Sequence, residues 1–142
     1  MKGVYPVIFT MTKDEKDTVL VEVPDLEIFT EGYGVGNAIE MARDAIGLKG
    51  ITMEDMQEDI PQASRMDSVK PDGGEFAEDG ECFVSMVDID FAEYRRKKDR
   101  KSVRRNVTLP SWLDFEADKA GINVSKVLQD ALISTLGLSE NL

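Results

Sequence analysis

Apolar and polar residues alternate along Val4–Thr12, with Tyr5, Val7, Phe9 and Met11 on one side, and again along Thr18–Val23, with Val19, Val21 and Val23 on one side. A period of two predicts half-buried strands. The polar cluster Lys13–Asp17 between them predicts a turn, so the pair reads as a hairpin. Pro6 places the first strand at a sheet edge, because proline has no amide proton to give a ladder. Pro24-Asp25 ends the hairpin, and Ile28–Glu31 predicts a short third strand running into a loop at Gly32-Tyr33-Gly34. From Val35 to about Leu48 the period lengthens: Val35, Ala38, Ile39, Ala42, Ala45 and Ile46 share one helical face, which Gly47 or Gly50 is expected to stop. Thr52 with Asp55 resembles a capping box and predicts a separate short turn of helix. Ile60-Pro61 ends it. Ser64–Gly80 is polar and reads as a loop with few fixed contacts, Glu81–Ile89 as a fourth strand, and Phe91–Lys98 as a short helix capped by Asp90.

Beyond Asp99 the pattern restarts. Val103, Val107 and Leu109 alternate with Arg104, Asn106 and Thr108, which predicts a strand that Pro110 stops. Pro110 also opens a helix over Ser111–Ala120, closed by Gly121. Asn123 is placed to cap a second helix in which Val124, Val127, Leu128, Ala131, Leu132 and Leu136 recur at helical spacing until Gly137. A strand and two helices in about forty residues cannot hide their own apolar faces, because small chains bury too little surface. A second copy could supply the cover. Two such strands would then pair into an antiparallel ribbon, a shape that fits the major groove of B-DNA.

Charge sharpens the division into residues 1–98 and 99–142. The chain has 142 residues and a net charge of −11, yet residues 1–94 hold 7 basic against 22 acidic side chains, and residues 95–142 hold 10 against 6. Eight basic residues crowd Arg95–Arg105. Phosphate neutralisation supplies much of DNA affinity, so the position of that run matters more than the total. The acidic body suits a basic partner. Cys82 is the lone cysteine and there is no histidine, which rules out an internal disulfide and the usual zinc ligand sets and fits a reducing cytoplasm. The start of the chain reads as neither a signal peptide nor a membrane span.

The stretch VRRNVTLP, the helix ending at Ala120-Gly121 and the stretch INVSKVLQDAL resemble the ribbon-helix-helix fold of Arc- and MetJ-type repressors. The resemblance implies that Arg104, Asn106 and Thr108 touch base edges. It further implies phosphate contacts from the start of the second helix at Asn123, Val124, Ser125 and Lys126, where backbone amides and the helix dipole favour an anion, and the basic run beside the ribbon adds Lys101 and Arg105 as expected phosphate contacts. The dimer core would hold Val107, Leu109, Trp112, Leu113, Val127, Leu128, Ala131 and Leu132.

The N-terminal part, VEVPDLEIFTEGYGVGNAIEMARDAIGLKGI followed by DIPQAS and later VDIDFAEYRRK, resembles HicB-type antitoxins. Pro24-Asp25, Thr30-Glu31-Gly32, Ala38, Ala42 and Ile60-Pro61 carry the match. Gly34-Val35-Gly36-Asn37 departs from it, standing where many members have a Thr-led, Glu-rich first helical turn. The resemblance implies an α+β chain: a partial ribonuclease H-like domain, with a three- to four-stranded sheet and a packed helix, followed by the ribbon-helix-helix. It implies a non-catalytic protein that forms a dimer or tetramer, sequesters a small basic HicA-type ribonuclease and represses its operon.

Other chemistry has thin support. Asp88 and Asp90 share a strand face, as a metal-dependent nuclease would need, but two-metal hydrolysis takes more carboxylates. A cap role for Asp90 and an exposed or partner-facing role for Asp88 account for both. Cys82 in an apolar strand is expected to be inert, with no base to activate it. GYGVG at residues 32–36 lacks the Lys-Ser/Thr of a phosphate loop and reads as a turn. No cofactor is expected. The rival function is a ligand-responsive repressor with no toxin partner.

Overall fold

The structure, a computed structural model, describes residues 1–138. Contacts divide the chain into two compact units, Met1–Asp99 and the residues from Arg100 onward.

In the first unit the elements run β1 (Lys2–Met11), β2 (Thr18–Val23), β3 (Ile28–Tyr33), α1 (Val35–Asp55), β4 (Glu81–Asp90) and α2 (Phe91–Lys98). The strands form one antiparallel sheet in the order β3-β2-β1-β4. Alternation sends Tyr5, Val7 and Phe9 of β1, Val19, Val21 and Val23 of β2, and Val87 and Ile89 of β4 into one core with Ala38, Ala42 and Ile46 of α1. Each buried valine contributes about 1.5–3 kcal/mol. The alanines let α1 lie close: a side chain on Gly32 of β3 would come within 2.6 Å of the Ala38 backbone. Gly32 therefore belongs to the strand and not to a loop, and β3 extends to Tyr33.

Pro6 is not in an edge strand. β1 lies between β2 and β4, but its ladder with β2 covers only Ile8–Met11, whereas that with β4 runs from Lys2 to Met11. The Thr12 amide donates to Thr18 O at 3.1 Å, so the even-numbered residues of β1 aim their backbone groups toward β2. At Pro6 that side lies past the end of β2, and no donor is missed.

Gly47 and Gly50 do not stop α1, which continues to Asp55. A Cβ on Gly47 would lie 2.4 Å from the Tyr94 ring, and one on Gly50 would meet the Phe91 ring even more closely. The glycines form the notch in which α2 sits. Thr52 starts no new helix either: its hydroxyl donates to Leu48 O one turn back at 2.7 Å. Asp90 does cap α2, its Oδ1 accepting from the Glu93 amide at 3.1 Å.

The segment from Ser64 to Gly80 is more firmly held than its polarity suggested. Both the amide and the hydroxyl of Ser64 donate to the Asp25 carboxylate, at 2.8 and 2.6 Å. The Glu75 amide donates to Glu22 at 2.7 Å, and Phe76 meets Phe29 edge to face. This segment covers the sheet face that carries Ile8 and Glu22, where Gly74 lies close enough that a Cβ would be 3.0 Å from Ile8. Polar residues make poor strands, yet they anchor well when each finds a backbone or carboxylate partner.

The second unit holds α3 (Ser111–Lys119) and α4 (Val124–Leu136). Asn123 caps α4 through Oδ1 and the Lys126 amide at 3.1 Å, while Gly121 and Gly137 take the left-handed φ values of 69° and 70° that close each helix. The expected strand over Val103–Leu109 is absent from the single chain: residues 99–110 carry no regular secondary structure. A strand exists only through a ladder with a neighbour, and among the described residues of this unit there is none.

Candidate functional site

In the second unit neither α3 nor α4 buries any residue. Trp112 is 68% exposed, Val127 54% and Leu132 51%; Val107 and Leu113 are exposed as well, and Ala131 with them. Leu109 and Leu128 are half-buried. These are the side chains the sequence placed in a dimer core, and the single chain leaves most of them in water. Arg104, Asn106 and Thr108 are all exposed on the irregular segment before Pro110. Lys101 and Arg105 are exposed too, and so are Asn123, Val124, Ser125 and Lys126 around the start of α4. Lys126 also pairs with Asp130 at 3.5 Å. The structure brings this last group together at one helix terminus, with the amides of Val124 and Ser125 in the first turn.

The basic run does not act as one block. Arg95 lies on α2 and binds α1, with Asp55 at 2.9 Å, Glu54 at 3.8 Å and Ile51 O at 3.2 Å. Lys98 pairs with Asp44 at 3.6 Å, and Lys97 with Glu93 at 3.2 Å. Arg95 and Lys98 therefore fasten α2 to α1, while Lys97 is paired within α2 itself. Residues 100–142 keep six basic against five acidic side chains.

In the first unit Asp88 is held by Arg43, which donates to its carboxylate and its carbonyl, both at 3.0 Å. The Arg43 guanidinium holds the Asp88 carboxyl below the usual carboxylate range. With Asp90 committed to its cap, the suspected carboxylate pair is divided between two structural tasks, and the described residues contain no group of three or more metal-ligating side chains. Cys82 is half-buried, its sulfur 3.1 Å from the Thr10 hydroxyl. A cleft at the junction of β1, β4, α1 and α2 is rimmed by Arg43 and Asp88, paired with each other, by Asp44 and Lys98, likewise paired, and by Tyr94, Lys2 and Glu40. Burial, and then the Asp44 carboxylate that accepts its hydroxyl at 3.0 Å, push the Tyr94 phenol up to about 12. Sequence reading missed Arg43 and Asp44.

A family model described as the HicB-like antitoxin of bacterial toxin-antitoxin systems matches residues 5–131. The chain belongs to this HicB-like antitoxin family. Two solved structures are similar to it over nearly its whole length. One is a toxin-antitoxin complex from Streptococcus pneumoniae, 26% identical over 95% of this chain and 99% of that chain, with a TM-score of 0.59. The other is the antitoxin HicB from Burkholderia pseudomallei, 24% identical over 95% and 97% of the two chains, with a TM-score of 0.50, a likeness of fold. No curated protein matches the sequence. As a HicB-like antitoxin the chain has a mixed α+β fold built on the four-stranded sheet, and no helix among its described residues is long and apolar enough to cross a membrane.

Proposed function

We propose that this antitoxin works through both of its units. The acidic first unit binds a small basic HicA-type mRNA interferase and covers its active site, over an interface of roughly 1,600 Å². The second unit pairs with its copy into a ribbon-helix-helix and represses the operon that encodes both proteins. Family membership and the charge of the first unit support toxin binding. The observation that carries the second half is the apolar stripe of α4 standing in water in a single chain. A stripe at helical spacing in which Val127, Ala131 and Leu132 are exposed and Leu128 half-buried is expected to seek cover.

Pairing would align Arg104, Asn106 and Thr108 of both copies on one face of the ribbon, with Lys101, Arg105 and the start of α4 on the phosphates. Because Arg95, Lys97 and Lys98 are engaged with acids of the first unit, the phosphate grip rests on few cations, and base contacts gain weight. In an operator titration, Arg104→Ala or Asn106→Ala should cost about 1–3 kcal/mol at one position per half-site. Lys101→Ala should weaken all sequences alike and flatten the salt dependence. Wild-type affinity in both Arg104→Ala and Asn106→Ala would remove the ribbon from the groove.

A further inference from the structure

The two edges of the sheet differ in the residues they carry, and the Ser64–Gly80 segment reaches both, packing beside β4 at Met66–Ser68 and Pro71–Gly73. β3, at one edge, carries Glu31 in its middle, and Phe29 on it packs against Phe76. β4, at the other, runs through Cys82-Phe83-Val84-Ser85-Met86-Val87 with no charge, proline or glycine. Natural edge strands are normally blunted by such residues, because an open edge is a template for another strand. The register fixes which groups face outward. Even-numbered residues of β1 point to β2, so odd-numbered ones bond β4, and their partners Phe83, Ser85 and Val87 face inward. The backbone groups of Cys82, Val84, Met86 and Asp88 face away from the sheet. Arg43 occupies Asp88 O. Cys82, Val84 and Met86 present the rest, with no strand beyond them among the described residues.

We propose that the outer edge of β4 is a strand-addition site that takes an extended segment of the toxin with an uncharged centre and basic flanks. This rests on the toxin-binding role proposed above and adds how the toxin docks. Charge selects the occupant. Glu78, Asp79 and Glu81 lie at one end of the strand and Asp88 and Asp90 at the other, while Lys13 and Arg43 offset only part of them. A second copy of β4 would set acidic end against acidic end in either direction, and like charges across a ladder destabilise it. A basic segment would meet both ends favourably, with main-chain bonds supplying affinity as in other strand additions.

Residue-resolved amide exchange on the full chain, with and without its co-expressed cognate toxin, tests this directly. In the unbound chain the amides of Phe83, Ser85 and Val87 should be protected by β1 and those of Cys82, Val84 and Met86 should exchange readily. Toxin should slow the second set. Val84→Pro and Met86→Pro remove outward amides without touching the β1 ladder, and each should weaken toxin binding by about tenfold, the loss of one backbone hydrogen bond, while protection at Ser85 persists. Toxin bound with Cys82, Val84 and Met86 still exchanging freely would overturn the inference. Concentration-dependent protection of these amides without toxin would overturn it too, by assigning the edge to a second copy. Wild type that fails to bind toxin at all would strike at the antitoxin reading itself.

Discussion

Gly50 faces the Phe91 ring and Gly47 the Tyr94 ring, with no room for a methyl group at either. Helix propensity alone favours alanine over glycine by about 1 kcal/mol, but overpacking costs about 1–3 kcal/mol, so packing should win. Gly50→Ala is expected to lower the unfolding free energy by about 1–2 kcal/mol and to speed amide exchange in α2, read by denaturant titration and hydrogen exchange. A stabilised variant would mean that α2 does not sit in the notch. Tyr94 gives a pH signature. Its folded pKa of about 12 exceeds the value of about 10 in an unfolded chain, so the folded state holds the proton more tightly. The resulting stability is complete below about pH 10 and is lost as pH rises toward 12. Thermal unfolding of wild type should fall across that window more steeply than that of Tyr94→Phe; parallel curves would count against the Tyr94–Asp44 bond.

At the scale of elements, the strands β1, β2 and β4 and the helices α2 and α4 were legible because their patterns are local: valines every second residue, Asp90 and Asn123 at caps, glycine at the closing turns. Asn123→Ala should cost about 1 kcal/mol, seen as lower helicity and a lower unfolding midpoint. What the sequence concealed depended on a neighbour. Gly47 and Gly50 read as stops because a glycine in a helix is punctuation until a ring is known to lie against it. Pro6 read as an edge residue because nothing local says that β2 ends before reaching it. Ser64–Gly80 read as loose because Asp25 and Glu22, which hold it, lie about forty to fifty residues away in sequence. The basic run read as one DNA-facing block because Glu54, Asp55 and Asp44, which engage Arg95 and Lys98, come from α1. The strand expected at Val103–Leu109 is absent from the single chain, and under the proposed pairing its ladder would come from a second copy.

For the whole molecule, the first unit has a closed core around Phe9, Val21 and Ile46, and the second buries no residue among those described. The proposed roles divide along that line, a self-sufficient unit that takes a partner and an incomplete one that requires a copy. The most direct measurement is sedimentation equilibrium of the full chain and of Leu132→Glu, with the same preparations titrated against operator DNA. Pairing through the second unit should give wild type a mass of at least twice the 15.8 kDa of one chain, and Leu132→Glu should shift it toward smaller species and lose operator binding while the first unit stays folded. Wild type sedimenting as a folded 15.8 kDa monomer that still binds operator would contradict it.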